Sequence, residues 1–221
     1  MINKQALSPE AAISSVRSDS VVMVGGFGDI GVPLKLVDAL SKRKLRGLTV
    51  VSNNAGTGDR GLSLLFREGM VRKVIASFPA QVGADHFLNS YRRGEVEVEL
   101  VPQGTLAERL RAGGSGIAGF YTPTAYGTEL AEGKEVREFD GIGHVFETAI
   151  KGDFALVRAQ CADRYGNLRY RLASRNFNPL MAMAAAHTIA EVAQVVDLGE
   201  IGPDDVHTPG VFVDSVVECA R

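Results

Sequence analysis

The feature that most constrains the fold is a set of short apolar runs, rich in β-branched residues, that alternate with helix-like segments. Ser20–Val24, Leu48–Ser52 and Val71–Ser77 have the length and composition of strands. Pro33–Leu40 and Gly61–Arg67 have the apolar spacing of helices. Strands with few polar interruptions are typical of parallel sheets covered on both faces. The sequence therefore predicts an α/β fold with an open, mostly parallel, Rossmann-like sheet and helices on both faces.

Further signals extend this pattern through the first half of the chain. The alternating run Glu95–Val101 predicts a strand with one solvent-exposed face, which is either half-buried or at an edge of the sheet. Thr105 and Glu108 have the spacing of a capping box, so we expect a helix from there to about residue 111. Near the start, Ser8-Pro9-Glu10 predicts a helix that ends near residue 17.

The second half of the chain changes character. Phe120–Asp140 is rich in Thr, Gly and charge, and we expect it to be irregular. Phe154–Ala159 and Leu168–Leu172, joined through Gly166-Asn167, predict an antiparallel hairpin added to the sheet. A helix over residues 179–187 and strands over 192–196 and 211–217 complete the prediction. Since neither an internal repeat nor a low-complexity linker is visible, residues 1–221 are expected to form a single domain.

Composition excludes several classes of function. A formal net charge of −2 gives no basic footprint for nucleic acid. No apolar run reaches the roughly 18–20 residues of a membrane span, and the N-terminus lacks the apolar core of a signal peptide. Cys161 and Cys219 are too few for a disulfide framework or a zinc site, and the four histidines lack metal-ligand spacing. We therefore expect a cytoplasmic protein that binds neither metal, membrane nor nucleic acid.

The predicted layout also locates a ligand site. Ligands of open α/β sheets bind outside the carboxyl ends of the strands. The residues expected there are the Gly25–Gly31 turn, Asn53, Asn54, Ser77 and Gln103. Apart from Asp29 they are uncharged and offer hydrogen bonds from backbone, hydroxyl or amide groups. Such a site suits a carbonyl or thioester oxygen better than paired-carboxylate acid–base chemistry.

The glycine turn itself admits two other interpretations. Gly26, Gly28 and Gly31 fit the G-x-G-x-x-G dinucleotide fingerprint between a strand and a helix, which would indicate a nicotinamide-dependent oxidoreductase. That fingerprint needs an acid about 20 residues further on, where this chain has Asn53 and Asn54. A tight turn without any ligand is the other alternative.

Several ordered blocks of sequence resemble a known family. They are Val24–Gly28 with Gly31 and Pro33, Asn53–Gly56, Pro102–Arg109, Phe120–Pro123, Gly152–Ala155 and Arg175–Asn178. In this order they resemble the A (alpha) chain of type I (3-oxoacid) CoA-transferases from about residue 5 to the C-terminus. Ser18-Asp19 departs from the family, which usually has an Asp-Gly or Asn-Gly turn there.

The resemblance implies a ping-pong mechanism. A glutamate attacks the donor thioester, passes through an acyl anhydride and becomes a glutamyl-CoA thioester, and the acceptor acid reverses these steps. In the family that glutamate lies in a Glu-Asn-Gly motif of the B subunit, and this chain contains no such motif. The chain is therefore expected to carry no catalytic nucleophile and no permanent cofactor, to use acyl-CoA as substrate, and to assemble with a B subunit into a heterodimer, A2B2 or a multiple. A module that kept the fold and lost the partner is the non-enzymatic alternative.

The resemblance also assigns residues and a substrate class. It implies a CoA-binding turn of Gly25, Gly26, Phe27, Gly28, Asp29, Ile30 and Gly31, and an acyl pocket of Asn53, Asn54 and Gln103. Ser77-Phe78-Pro79 and Thr122–Thr128 resemble most the branch that acts on 3-oxoadipate, with succinyl-CoA as donor. Acetoacetate-type or acetate-type transfer remains the alternative. The second carboxylate of 3-oxoadipate would need a cation, for which Arg60, Arg67, Arg92 and Arg93 are available but not placed by the sequence.

Overall fold

The computed structural model describes residues 2–219. Met1, Ala220 and Arg221, the outermost residues of the predicted domain, lie outside this part. Among the described residues the helices are α1 (Pro9–Ala12), α2 (Leu34–Ser41), α3 (Ser63–Arg67), α4 (Asp85–Arg92), α5 (Gln103–Gly114) and α6 (Asn178–Ala184). The strands are β1 (Val21–Val24), β2 (Leu48–Ser52), β3 (Val71–Ala76), β4 (Glu97–Leu100), β5 (Gly119–Thr122), β6 (Val136–Phe139), β7 (Ile142–Thr148), β8 (Gly152–Asp163), β9 (Leu168–Arg169), β10 (Ala185–Val196) and β11 (Ser215–Glu218).

The main sheet has a switch point at its centre. Its strands lie in the order β11-β10-β8-β1-β2-β3-β4 with every neighbouring pair parallel, and β9 is antiparallel to β8. The chain fills one half outward from β1 to β4 and the other half through β8, β10 and β11. Strand order that reverses in this way opens a crevice at the carboxyl ends of the central strands. The 25–31 turn follows β1 and therefore lies at this crevice.

The predicted cover of helices on both faces is confirmed. Val22 and Val24 of β1 pack in one core with Leu36 of α2, whereas Met23 between them packs in the opposite core with Leu106 of α5. Residues of α2, α3 and α4 contribute to the first core, and those of α5 and α6 to the second. Because alternate side chains of β1 enter two different cores, the strand is apolar throughout.

The edge strand and the hairpin are also confirmed. β4 pairs only with β3 among the described strands, and Lys73 bonds Glu97 and Glu99 across this pair at 2.8 and 3.0 Å. β8 and β9 form the predicted hairpin, and the Asp163 carboxylate accepts the N–H of Tyr165 at 2.9 Å in its turn.

The expectation of an irregular segment over 120–140 was wrong. β5, β7 and β6 form a separate antiparallel sheet in that order. All four residues of β6 are exposed and none of β5 is buried, so no apolar period marked these strands. Arg109 of α5, which is nearly buried, holds this sheet to the main body by donating to the Thr148 carbonyl at 2.7 Å and pairing with Glu99 at 2.7 Å.

Three predicted helix boundaries were also wrong. α5 begins at Gln103, directly after Pro102, so Thr105 lies inside the helix and forms no capping box; Glu108 instead pairs with Arg111 at 2.7 Å. α1 ends at Ala12, about five residues early. α6 ends at Ala184, because Ala185 already pairs with Gly152 in the sheet.

Candidate functional site

The glycine turn after β1 is closed by its own backbone. The N–H of Gly25 donates to the Leu156 carbonyl at 2.9 Å and so extends the pairing of β1 with β8 by one residue. Phe27 and Ile30 then exchange two backbone hydrogen bonds of 2.9 and 3.0 Å. Their side chains are 47% and 52% exposed on the outside of the turn. The turn therefore presents a fixed tip, Gly28-Asp29, at the crevice.

Most glycines of the 25–31 turn are required by close packing against neighbouring side chains rather than by an open ligand site. A Cβ on Gly25 would overlap Asn178 Oδ1, a Cβ on Gly26 would lie 2.5 Å from Val32 Cγ2, and one on Gly31 would lie 2.8 Å from Asn176 Nδ2. At Gly28, with φ of +57°, nothing lies within 4 Å. Gly28 is thus the glycine whose missing side chain leaves space at the tip of the turn.

Two asparagines hold the turn in place, Asn178 as the first residue of α6 and Asn176 two residues before it, and the sequence did not identify them as site residues. Asn178 is fully buried; its Oδ1 accepts the N–H of Arg158 at 2.9 Å, and its Nδ2 donates to the carbonyl of Gly31 at 3.1 Å. Asn176 Nδ2 donates to the Ile30 carbonyl at 3.1 Å. The Ile30 and Gly31 carbonyls lie 146 and 147 residues away in sequence, so the only local signal was the Asn-Phe-Asn pattern.

Three polar side chains from successive strand ends meet beside the turn. Asn53 follows β2, Ser77 follows β3 and Gln103 begins α5 after β4. Asn53 Oδ1 accepts from Ser77 Oγ at 3.1 Å and from Gln103 Nε2 at 2.9 Å. Because the oxygen of Asn53 is engaged twice, its amide NH2 is the group left to donate to a ligand. The predicted meeting of these residues at the carboxyl ends is confirmed.

These residues line a cleft of about 420 Å3, which we call the amide cleft. Its lining is Phe27, Gly28, Asn53, Ser77, Phe78, Gln81 and Gln103. Within the described part of the chain, no hydrogen bond takes up the backbone N–H groups of Gly28 and Asp29. The amide cleft thus offers the Gly28 N–H and the Asn53 amide and has no carboxylate in its own lining, while Asp29 lines the adjoining cleft that shares Gly28, Phe78 and Gln81 with it. Amide donors of this kind suit an oxygen on which negative charge develops.

Asn54 lies beside the amide cleft and does not line it. It is 4% exposed; its Oδ1 accepts the N–H of Gly56 at 2.8 Å, and its Nδ2 donates to the Gly28 carbonyl at 3.3 Å. Its side chain therefore connects the loop after β2 to the tip of the glycine turn. In this structure it positions Gly28 rather than facing the cleft beside Asn53.

One ion pair borders the turn, and the other arginines considered for a second carboxylate lie at the ends of α3 and α4, before β3 and β4 begin. Asp29 forms an ion pair with Arg60. Arg67 pairs with Glu68 at 3.0 Å and Arg93 with Glu95 at 2.7 Å. Arg92 ends α4, which places it near the amino end of β4 and away from the crevice. Of the four arginines considered for a second carboxylate, only Arg60 therefore borders the glycine turn.

A buried carboxylate occupies the position where a dinucleotide phosphate would bind. Glu191 of β10 is 2% exposed, and its Oε2 accepts the N–H groups of Lys35 and Leu36, at 2.8 and 3.1 Å, at the start of α2. Its Oε1 pairs with Arg158 at 2.9 Å. Burial raises the pKa of this carboxyl, and the Leu36 N–H and Arg158 oppose that shift. Because a pyrophosphate would need the same N–H groups, the geometry does not support a nicotinamide site.

The chain shows neither a metal cluster nor a membrane helix within its described residues. Across residues 2–219 no group of three or more His, Cys, Asp or Glu side chains is placed to hold a metal ion. None of the helices in that range has both the length and the apolarity for a membrane crossing. Cys161 is buried in β8 with a free thiol, and Cys219 is free and partly exposed.

The chain matches known proteins over nearly its whole length. Residues 6–219 match the family model described as Coenzyme A transferase. The A subunit of 3-oxoadipate CoA-transferase from Pseudomonas putida is 53% identical over 98% of this chain and 94% of its own length. The A subunit of succinyl-CoA:3-ketoacid coenzyme A transferase from Xanthomonas campestris pv. campestris (strain B100) is 50% identical over 97% of this chain and 88% of its own.

A solved structure shows the same fold within a longer chain. An acyl-CoA transferase from E. coli O157:H7, solved as a thioester complex with CoA, matches with a TM-score of 0.84 and 22% identity. The match covers 98% of this chain but 47% of that one. The fold seen here therefore corresponds to about half of that longer protein.

Proposed function

The chain belongs to the coenzyme A transferase family, and from that premise we propose that it is the A subunit of an enzyme that moves CoA from succinyl-CoA to 3-oxoadipate. Both relatives described above are named as A subunits, which supports a partner chain, the B subunit. The 3-oxoadipate relative is 53% identical and the 3-ketoacid relative 50% identical. Acetoacetate, a 3-keto acid with one carboxylate, is therefore the second candidate acceptor.

The observation that carries this proposal is the composition of the amide cleft. Its lining offers the Asn53 amide and the Gly28 N–H as donors, and it contains no carboxylate. The nearest acid on the turn, Asp29, is paired with Arg60. Such a cleft can polarise a thioester carbonyl but supplies no group that could attack it. The nucleophile is therefore expected from another polypeptide.

In the proposed reaction a glutamate of the partner chain attacks the thioester carbonyl of succinyl-CoA. The C–S bond breaks, CoA leaves as thiolate, and a mixed anhydride forms. The thiolate then attacks the glutamyl carbonyl of the anhydride and releases succinate, which leaves a glutamyl-CoA thioester. The acceptor carboxylate reverses these steps. This chain contributes the donors that stabilise each oxyanion, and it needs no permanent cofactor.

The rim of the cleft supports a partner at this face. Phe27, Phe78 and Val82 are 47%, 60% and 100% exposed around the tip of the turn. Exposed large apolar groups clustered in one place are typical of surfaces covered in an assembly. We propose a cytoplasmic assembly of the two chains, as a heterodimer, A2B2 or a multiple, in which residues 1–221 act as one domain.

The test is co-expression with a candidate partner that carries a Glu-Asn-Gly motif. We expect copurification and transfer activity only in the complex. After incubation with succinyl-CoA alone, a CoA adduct should be found on the partner chain by mass and by sensitivity to borohydride. Comparing 3-oxoadipate with acetoacetate as acceptors then tests the substrate. A CoA adduct on the chain described here, or turnover without the partner, would contradict the proposal, whereas preference for acetoacetate would overturn only the acceptor.

A further inference from the structure

A second cleft borders the glycine turn, with Ile30 as the residue of the turn that lines it. It measures about 280 Å3, and we call it the arginine pocket. Its lining is Ile30, Arg158, Ala159, Gln160, Arg171, Leu172, Ala173, Ser174 and Ala193. None of these residues belongs to the amide cleft, and the sequence singled out only Ile30 among them.

The pocket exists because two strands continue past the end of β1. The Gly25 N–H makes the last backbone bond from the β1 side to β8, at Leu156. β8 and β10 then pair with each other as far as Asp163 and Val196, and so form a wall above the turn. Alanines at 159, 173 and 193 leave the space in front of this wall open.

The opposite side of the pocket is held in an unusual conformation. The 3-10 helix Leu172–Arg175 covers the pocket, and Leu172 has φ of +51° with 80% of its surface exposed. A left-handed leucine is unfavourable and persists only where neighbouring contacts fix it. Here the Ser174 N–H closes the turn around Leu172 by donating to the Arg171 carbonyl at 3.1 Å, and the Asn178 side chain donates to the Ser174 carbonyl at 2.9 Å. Strained backbone of this kind is concentrated at ligand sites.

The pocket carries a cation in excess. Arg158 is balanced by Glu191, which is also bound to the N-terminus of α2. Arg171 is exposed, and no carboxylate of residues 2–219 pairs with it. Since Glu191 is engaged by Arg158 and by two N–H groups, one guanidinium is left at the pocket for an anion. Guanidinium groups bind carboxylates well because their two parallel donors match the two oxygens.

The two clefts are only one turn apart. Phe27 lines the amide cleft and Ile30 lines the arginine pocket. These two residues exchange both backbone hydrogen bonds, a pairing in which the Cα atoms lie roughly 5.5 Å apart. A molecule that reacts at the amide cleft could therefore place a second group, a few bonds away, in the arginine pocket.

We propose that the arginine pocket binds the carboxylate of the acceptor that lies farthest from the reacting one, with Arg171 as the residue that sets the preference for a dicarboxylic acid. This rests on the proposed function. A phosphate of CoA is the other source of an anion, and the test separates the two.

The test uses Arg171→Gln in the complete complex of both chains. Because Arg171 is exposed and unpaired with any carboxylate of residues 2–219, its loss removes no ion pair of the described fold. Arg92→Gln is the matched control, an exposed arginine at the far end of α4. We expect kcat/KM for 3-oxoadipate to fall about tenfold to a hundredfold, the effect of one charged hydrogen bond, and kcat/KM for acetoacetate to change less than about twofold. Arg171→Lys should restore part of the loss.

Each other outcome has a distinct meaning. If the wild-type complex transfers CoA to no 3-oxo acid, the proposed function fails, and the assignment of the arginine pocket, which rests on it, fails with it. If Arg171→Gln reduces transfer to both acids equally, the pocket does not bind the second carboxylate. A defect that disappears when the donor is a thioester of dephospho-CoA would assign Arg171 to the phosphate of CoA and overturn the proposal. An unchanged kcat/KM for 3-oxoadipate would also overturn it.

Discussion

The amide of Asn53 offers the sharpest test of how this chain assists the chemistry. Asn53 is 5% exposed, and its Oδ1 accepts hydrogen bonds from Ser77 and Gln103. In Asn53→Asp one carboxylate oxygen can keep both of these bonds, so the local fold should persist. The other oxygen replaces the NH2 group and turns a donor that faces the cleft into an acceptor with negative charge. The substitution therefore removes the donor and introduces a negative charge at the same position, while the two hydrogen bonds that hold the side chain are kept.

The expected size of the defect follows from two terms. Loss of one donor to a developing oxyanion costs about 2.7–4 kcal/mol, or about 10²–10³ in kcat. A like charge adds repulsion, about 4 kcal/mol for charges about 4 Å apart at an effective dielectric constant of about 20. A fall of at least about 10³-fold is therefore expected at neutral pH. Because burial favours the neutral acid, activity should rise as the pH falls and the introduced carboxylate becomes protonated.

The assay is single-turnover formation of the glutamyl-CoA thioester in the complex of both chains, followed by mass spectrometry. Ser77→Ala is the control, since it removes one of the two donors to Asn53 without adding charge, and we expect less than about a tenfold loss there. The thermal midpoint of each variant checks that the fold is retained. Thioester formation by Asn53→Asp within about threefold of wild type at neutral pH would refute the reasoning.

Two further predictions concern the turn and the pH dependence of stability. Gly25→Ala should lower the free energy of unfolding by about 3 kcal/mol or more, because its Cβ would overlap Asn178 Oδ1. Gly28→Ala places its Cβ in open space, so the free energy of unfolding should fall by only about 1–2 kcal/mol, while binding of CoA thioesters should weaken. Equal denaturation midpoints for the two variants would contradict the difference in stability. The second prediction concerns His207, whose Nδ1 accepts the Tyr170 backbone N–H at 3.0 Å. Burial lowers the pKa of the His207 imidazole below 6.5. Because the unfolded chain then binds a proton more readily than the folded one, the stability present above about pH 6.5 should be lost as the pH falls. If a His207→Asn variant lost the same stability between about pH 7.5 and about pH 5.5, His207 would not be the group responsible.

The sequence was most informative where burial is complete. β2 has the predicted bounds, Leu48–Ser52, because all five of its residues are buried and the chain on either side is not apolar. Asn53, Ser77 and Gln103 could be brought together from the sequence because parallel strands end at one edge of a sheet. The separate sheet of β5, β6 and β7 was missed for the opposite reason, since its strands lie mostly exposed.

The anchors of the site could not be predicted, because they depend on contacts between distant parts of the chain. Asn178 reaches Gly31 across 147 residues, and Glu191 reaches the start of α2 across 156. Neither residue type has a local pattern that reveals such a partner. Arg171 was overlooked in the same way, because only the extension of β8 and β10 past β1 makes a pocket beside it.

The spacing of glycines that resembles a dinucleotide fingerprint has a different physical basis here. Gly25 is excluded from bearing a side chain by Asn178, Gly31 by Asn176, and Gly26 by Val32. The N-terminus of α2, which would bind a pyrophosphate in a dinucleotide fold, is filled by the Glu191 carboxylate. The one open position, Gly28, faces the strand ends where the Asn53 amide lies. This spacing of glycines therefore does not indicate a dinucleotide site here, because a carboxylate from the same chain already engages the N–H groups that a pyrophosphate would need.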